Sequence, residues 1–579
     1  MPSRYPERDS SLFPFFKFPF FAALREKFKE GYHLSDLRAD LMSGAVVSMV
    51  AIPLGMALAI ASGVAPQYGL YTVIVAGAIV ALLGGSRFQV TGPTAAFVVI
   101  LAPVVHKFGL GGLLVAGLMA GIMLLIMGFA RMGRLIQFIP YPVTTGFTTG
   151  IAVVIVTLQL KDFFGLHITE MPDAYIEKIS TLVQASGSFQ LTEFLIGVST
   201  LLFLLFWPKI NKKIPAPLVA LSVVTVVTAL ITHYYPDIHI TTIGTRFANG
   251  IPQTPPHFSF PWLFAGGNGQ PLVLNFSMIQ ALLPSAFAIT MLGAIESLLS
   301  AVVADGMAQT KHDPDAELVA LGTGNIICSF FGGIAATGAI ARTATNIRFG
   351  ARSPLSSIFH AVFTLVVIML FAPYVSYLPM AALAALLVLV AYNMSEYKHF
   401  FHILQVGPKS DVIVLLICFG LTVILDMVAG VTVGVVLASL LFMQRMAGVT
   451  TAQLIPSGEH PVLKEHLPPQ IILYEIAGPL FFGAAEHAAE AISDITDDVR
   501  AVIFTMDGVP VMDVTGLVAF ESALSKLTKK HKMTFLVGVK EQPHELLLRD
   551  KSIAENPRVK ICESLDEAVR LAKASCELT

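Results

Sequence analysis

The sequence predicts an α-helical membrane protein of about fourteen spans, followed by a water-facing α/β domain. Three observations carry this. The chain is 55% hydrophobic and 13% charged over 579 residues. Apolar segments of membrane length recur from Leu41 to Met443. Beyond Arg445 the charge density rises and strand-like and helix-like patterns alternate. A soluble domain carries about 25% charged residues. A long chain this poor in charge cannot cover a water-facing surface, so it belongs in lipid. The net charge of −2 offers no basic excess to drive nucleic-acid binding.

The spans are expected at Leu41–Ser62, Tyr68–Leu83, Pro93–Val105, Leu113–Ala130, Leu135–Leu158, Phe194–Trp207, Ile214–Ile231, Ile279–Ala301, Leu318–Phe331, Ala341–Phe349, Leu355–Phe371, Met380–Tyr392, Val412–Leu425 and Val428–Met443. A bilayer core of about 30 Å sets their length. Even-numbered loops hold Arg87, Arg131, Arg134, Lys209, Lys311, Arg348, Arg352, Lys398 and Lys409, whereas odd-numbered loops are poor in basic residues. The basic side is cytoplasmic, which places both termini inside. The segment Phe13–Lys29 lacks the apolar stretch of a signal peptide and reads as an interfacial segment on the membrane surface.

The chain therefore divides into an N-terminal segment (1–40), a membrane domain (41–446), a linker (447–465) and a C-terminal domain (466–579). In the last, Ile471–Ala477, Ala501–Met506 and Thr534–Val539 read as strands. Ala484–Asp494, Gly516–Lys526 and stretches near His544 and Leu565 read as helices. Alternation of this kind implies one sheet with helices packed on it. Four cysteines, Cys328, Cys418, Cys562 and Cys576, form no metal-ligand spacing and read as reduced thiols.

Two expected spans are short and begin at a glycine-containing break. One is Phe88–Phe97, where Thr91-Gly92 leads into Pro93, a residue suited to a first helical turn. The other is Gly333–Ala344, where Thr337-Gly338 leads into a second short helix. Broken helices at matching positions in two halves of a transporter point to a midplane binding site. A helix start leaves N–H groups unpaired and carries about half a positive charge, so two facing starts make an anion cradle. Arg342 falls at the second break, where a cation at membrane depth costs roughly 3 kcal/mol or more and calls for an anionic partner. Glu296 lies mid-way along a long apolar helix with Ser300 four residues on, on the same face. Glu296 either carries a coupling proton or pairs with Arg342 when the site is empty. Asp426 reads as a cap for the last span.

The strings Val50–Ala59, Gly63–Tyr71 and Gly84–Ala95 resemble the SulP family of anion transporters, over almost the whole chain. The resemblance implies two inverted seven-span repeats, a core domain moving against a gate domain, and a C-terminal STAS domain similar to anti-sigma factor antagonists. It implies a substrate site at Gly92, Pro93, Thr94 and Ala95 of the third span and Ala341, Arg342 and Thr343 of the tenth. Glu296 and Ser300 match positions where a sodium-coupled bicarbonate branch places ion ligands. Glutamate replaces the aspartate of that branch, which favours protons over sodium. The strings Gly293–Leu299, Ala339–Arg342 and Asn393–Glu396 resemble a dicarboxylate-transporting branch, implying succinate- or fumarate-like substrates, with sulfate and bicarbonate as alternatives. Thr515, in Asp513–Gly516, falls where anti-sigma antagonists carry a phosphorylatable residue; the alternative is a plain helix cap made by Asp513. The resemblance further implies a homodimer in the bacterial inner membrane, with a cytoplasmic protein partner for the STAS domain.

No nucleophile–base pair, metal cluster or phosphate-binding glycine loop marks an enzyme or an ATP-driven pump, and no cofactor is expected. Three activities stay open: a secondary transporter, an anion channel on the same scaffold, and a membrane-anchored signalling module.

Overall fold

The computed structural model describes residues 20–134, 139–168, 171–172, 174–211, 214–247, 250–448, 450–455, 467–481, 495–496 and 498–577. The chain forms two compact units, Met1–Val435 and Val436–Thr579.

In the first unit the elements are α1 (Ala22–Glu30), α2 (Leu34–Ala61), α3 (Pro66–Leu83), β1 (Thr91–Gly92), α4 (Ala95–Phe129), α5 (Tyr141–Phe163), α6 (Tyr175–Gln184), α7 (Leu191–Ile210), α8 (Ala216–Tyr234) and α9 (Ile243–Arg246). There follow α10 (Phe276–Ala308), α11 (Pro314–Phe330), β2 (Thr337–Gly338), α12 (Ile340–Arg348), α13 (Leu355–Val375), α14 (Met380–Met394), α15 (Tyr397–Val406), α16 (Lys409–Ile424) and α17 (Met427–Ala447), the division between the units falling within α17. Among the described residues, ten helices are long and apolar enough to cross a membrane. The expected spans fall on α2, α3, α4, α5, α7, α8, α10 to α14, α16 and α17.

The third and fourth expected spans lie on α4, which kinks at Gly109 (φ 68°, ψ −173°). That conformation favours glycine. A Cβ there would also meet the Gly266 carbonyl carbon at 2.3 Å, because the 261–272 loop packs on the kink. The amphipathic helices α6 and α15, connectors of ten residues each, were not anticipated. Of the expected interfacial segment, residues 13–19 lie outside the described residues; the rest forms α1, tied down by Arg87 to Glu26 and Glu30. Asp426 caps α17 as expected, accepting from the Ala429 N–H at 2.8 Å.

The helices pack in two sets. In one, α11 lies on α3 and α4, and α13 on α2 and α3. In the other, α14 and α16 lie on α5, and α7 joins α14 to α8. Short stretches of α2 against α14 and of α4 against α5 join the sets.

The second unit holds a five-stranded sheet in the order β3 (Thr451–Ile455), β4 (Ile471–Ala477), β5 (Ala501–Gly508), β6 (Met533–Val537), β7 (Val559–Cys562). Strand β3 is antiparallel to β4 and the other neighbours are parallel. Helices α18 (Val514–Lys529), α19 (Glu541–Arg549), α20 (Lys551–Ala554) and α21 (Leu565–Glu577) complete it. The central strand is buried on both faces: Val502 and Phe504 face one core, Ala501 and Ile503 the other. This is why it reads as a continuous apolar run. The expected helix Ala484–Asp494 lies outside the described residues. The segment read as linker contains strand β3, so the sheet begins before the Pro-rich stretch rather than after it.

Candidate functional site

The two Thr-Gly strings meet. Thr91 pairs with Gly338 and Gly92 with Thr337 in an antiparallel register. The Ala339 N–H extends the ladder to the Val90 carbonyl at 2.9 Å. Each strand then feeds a helix start, α4 after Thr94 and α12 after Ala339, and neither capping residue supplies a side-chain hydrogen bond. Neither helix start is therefore capped by the side chain that precedes it.

Pro93 does not begin the helix, contrary to the sequence expectation. Thr94 stays extended (φ −123°, ψ 158°) and α4 starts at Ala95. The ladder holds residues 91–92 extended, and the residue before a proline is biased the same way. Pro93 instead presents its carbonyl to Arg342, whose Nη2 donates to it at 2.5 Å.

Arg342 is 2% exposed and is the third residue of α12. Its Nε and Nη1 have no hydrogen-bond partner. Glu296 does not form an ion pair with it, as one sequence reading had allowed. The Glu296 carboxylate accepts instead from the Thr94 hydroxyl at 2.7 Å. Two guanidinium nitrogens are thus left without partners beside two uncapped helix starts.

Helix α10 binds both strands along one face. The Gly293 carbonyl accepts from the Thr337 hydroxyl at 2.8 Å, Glu296 holds Thr94, the Ser297 hydroxyl accepts from Gln89 at 2.6 Å, and the Ser300 hydroxyl donates to Thr343 at 3.1 Å. The spacing 293, 296, 297, 300 is a single helical stripe. Thr343 also accepts from the Val90 N–H at 3.0 Å. Ser300 and Thr343 are therefore buried and bonded to each other, so they brace the break rather than face a solute. Ala95 is buried, Thr94 and Glu296 are half-buried, and Ala341 is exposed, so surface remains accessible at Thr94, Glu296 and the start of α12.

Two residues escaped the sequence reading. Gln89 donates to both Ser297 and Glu317. Glu317, 1% exposed, accepts from the N–H groups of Gly85 and Ser86 at 3.0 and 3.1 Å. Together they anchor the chain leading into β1. The only local signal was a carboxylate in the apolar run after Pro314.

A family model described as the sulfate permease family matches residues 37–418, and a STAS domain model matches residues 463–568. The chain belongs to the sulfate permease family. As a family member it is a multi-pass membrane anion transporter rather than an enzyme. A protein of Bacillus subtilis (strain 168) named "Putative sulfate transporter YvdB" is 41% identical over 90% of this chain and 94% of its own. The bicarbonate transporter BicA of a Picosynechococcus strain is 29% identical over 93% of this chain and 95% of its own. The solved transmembrane domain of a cyanobacterial BicA aligns with a TM-score of 0.60 at 29% identity, covering 69% of this chain and 98% of that one. Murine Slc26a9 shares the fold, with a TM-score of 0.84 at 19% identity over 98% and 96% of the two chains.

In this family member, Gly92 has a structural place the sequence did not specify. A Cβ at this position would lie 2.6 Å from Arg342 Nη1. Gly92→Ala is expected to displace the guanidinium and raise the half-saturating anion concentration by about tenfold, equivalent to ~1.4 kcal/mol. Initial uptake rates over a concentration series measure it, and an unchanged half-saturation would contradict this placement of Arg342. In the STAS domain, the Asp513 side chain caps α18, accepting from the Gly516 N–H at 2.6 Å, and Thr515 is exposed on the first turn.

Proposed function

We propose that this protein is a secondary transporter that carries a small inorganic oxyanion, sulfate or bicarbonate, across a bacterial cytoplasmic membrane by alternating access. The observation that carries the reading is the pair of unbonded Arg342 nitrogens, Nε and Nη1, beside two uncapped helix starts. Fixed donors around a fixed cation suit a compact, multiply accepting anion. The C4-dicarboxylate reading of the sequence gives way here to its alternative, because relatives that match nearly full length are named for sulfate and bicarbonate.

Glu296 is assigned the coupling proton. It is half-buried, bonded to Thr94 at the start of α4, and free of an ion pair with Arg342. A carboxyl there senses an anion through Thr94 and titrates with the site's occupancy. Both termini are assigned to the cytoplasm, a reading the basic loops support, and the protein is assigned as a homodimer by family resemblance. Thr515 is assigned as a modification site for a cytoplasmic partner: phosphate on an exposed first-turn residue is electrostatically favoured.

The test is uptake of radiolabelled sulfate, bicarbonate and succinate into proteoliposomes under an imposed pH or sodium gradient. Saturable sulfate or bicarbonate uptake with counterflow is expected, driven by the pH gradient. Glu296→Gln is expected to abolish the gradient's effect and preserve anion exchange. Preferential succinate uptake would reject the substrate class. A sodium requirement would reject the proton assignment, and flux without counterflow would indicate a channel.

A further inference from the structure

A second polar cluster lies away from the strand pair. The ends of α2 and α5, the start of α14 and the short α9 enclose a cavity of about 140 Å³ at the face opposite the basic loops. This exceeds the space one water needs by about tenfold, room for an oxyanion with some water. Part of the lining is apolar, including Ala57 of α2 and Ala384 of α14. The polar part of the lining is Gln159, Lys161, Asp162 and Arg246.

The partners of these groups are incomplete. Arg246 Nη1 donates to Asp162 Oδ1 at 2.7 Å, and its guanidinium remains about one-third exposed. Lys161 Nζ donates to the Ile168 carbonyl at 2.5 Å and meets no carboxylate within ion-pair distance among the described residues. Gln159 is 5% exposed and lines the cavity. Among the described residues, two cations sharing one carboxylate leave donor capacity that an oxyanion can take up.

The place of the cavity matters. Helix α2 belongs to the set that carries the strand pair, whereas α5 and α14 belong to the other. The cavity therefore lies on the seam along which one set must move against the other for alternating access. We propose that this cavity is an outer anion-reception site, in which Lys161, Arg246 and Gln159 bind the oxyanion before translocation and Asp162 holds Arg246 while the site is empty. This rests on the transporter reading above. The carboxylate of Asp162 and the arriving anion compete for one guanidinium, so Asp162 sets the threshold concentration for capture.

The experiment is anion exchange in oriented proteoliposomes carrying the full-length chain, with the half-saturating sulfate concentration measured at each face while the other is saturated. Lys161→Gln, Arg246→Gln and Gln159→Leu are each expected to raise the outer value by about three- to tenfold, roughly the loss of one charge-assisted or neutral hydrogen bond, and to change the inner value less than about twofold. Asp162→Asn is expected to lower the outer value, the opposite sign, which a merely structural role would not give. As a second readout, sulfate is expected still to raise the thermal midpoint of detergent-solubilised Arg342→Ala, and to stop doing so when Lys161→Gln and Arg246→Gln are added. Equal shifts at both faces, an Asp162→Asn value that rises with the others, or no sulfate stabilisation of Arg342→Ala would each overturn the proposal. If single variants lose folded yield, Arg246→Lys and Gln159→Leu decide it by the same ratio of faces. A wild-type chain that exchanges no sulfate or bicarbonate overturns the transport reading instead, a result separable because it appears before any substitution.

Discussion

Replacing Arg342 with alanine is expected to reduce sulfate or bicarbonate uptake by at least about a hundredfold while the protein stays folded. The guanidinium has two nitrogens without partners, Nε and Nη1, and a third, Nη2, bonded to the Pro93 carbonyl. Hydrogen bonds to a charged group are worth about 1.5–3 kcal/mol each. Losing two of them removes roughly 3–6 kcal/mol of anion binding, a factor of about a hundred or more. The buried cation is itself unfavourable when the site is empty, so its removal need not lower the thermal midpoint. Arg342→Lys separates charge from shape. A lysine keeps the cation but replaces a planar fork by a point charge, which cannot hold the Pro93 carbonyl and present two further donors in fixed directions. Its uptake is expected to lie between wild type and alanine. Proteoliposome uptake at matched protein density measures both variants. An alanine variant with wild-type half-saturation and rate would remove Arg342 from the binding site and leave the two helix starts as the whole cradle.

What the sequence disclosed and what it withheld follow physical lines. The apolar spans were legible because a bilayer imposes a length on them independent of neighbours. The two breaks were legible because Thr-Gly strings interrupt otherwise apolar helices. That Thr91 lies across from Gly338 was not legible, since a two-residue ladder between segments some 250 positions apart is set by tertiary packing alone. The misplacement of Pro93 has the same origin: proline at a first helical turn is a sound local rule, but the ladder holds the chain extended through Thr94. Ser300 and Thr343 were picked out by position, yet each spends its hydroxyl on the other. Strand β3 was hidden because Pro456, Pro461, Pro468 and Pro469 dominate the stretch, while Thr451–Ile455 is short and gains its partner only from β4. Gln89 and Glu317 were invisible as a pair. Their bond joins residues 228 positions apart, and neither carries a local motif.

That pair sets the largest expected effect on stability. Glu317→Ala is expected to destabilise the membrane domain by about 3–5 kcal/mol, the range for removing one partner of a buried charged network. The carboxylate is 1% exposed; one oxygen accepts from the Gly85 and Ser86 N–H groups, and the other from Gln89 at 2.7 Å. Alanine would leave three buried donors facing nothing, each worth about 1–3 kcal/mol of lost solvation. Glu317→Gln is the sharper comparison. Its carbonyl can serve one side of the old carboxylate, but its NH₂ must then face either the two backbone donors or Gln89, so a smaller loss of about 1–3 kcal/mol is expected. Thermal unfolding of the detergent-solubilised protein measures the order, with wild type above glutamine and glutamine above alanine. The consequence reaches the site by a short path. Gln89 stands two residues before Thr91, and its amide also fixes Ser297 on α10. Once that amide is released, the strand pair loses its brace and the Arg342 donors lose their fixed direction toward the anion. Half-saturation should therefore rise in the glutamine variant even where folded yield is normal. If both variants melt with wild type, the chain leading into β1 is held by the ladder alone, and the network around Glu317 does not position the site.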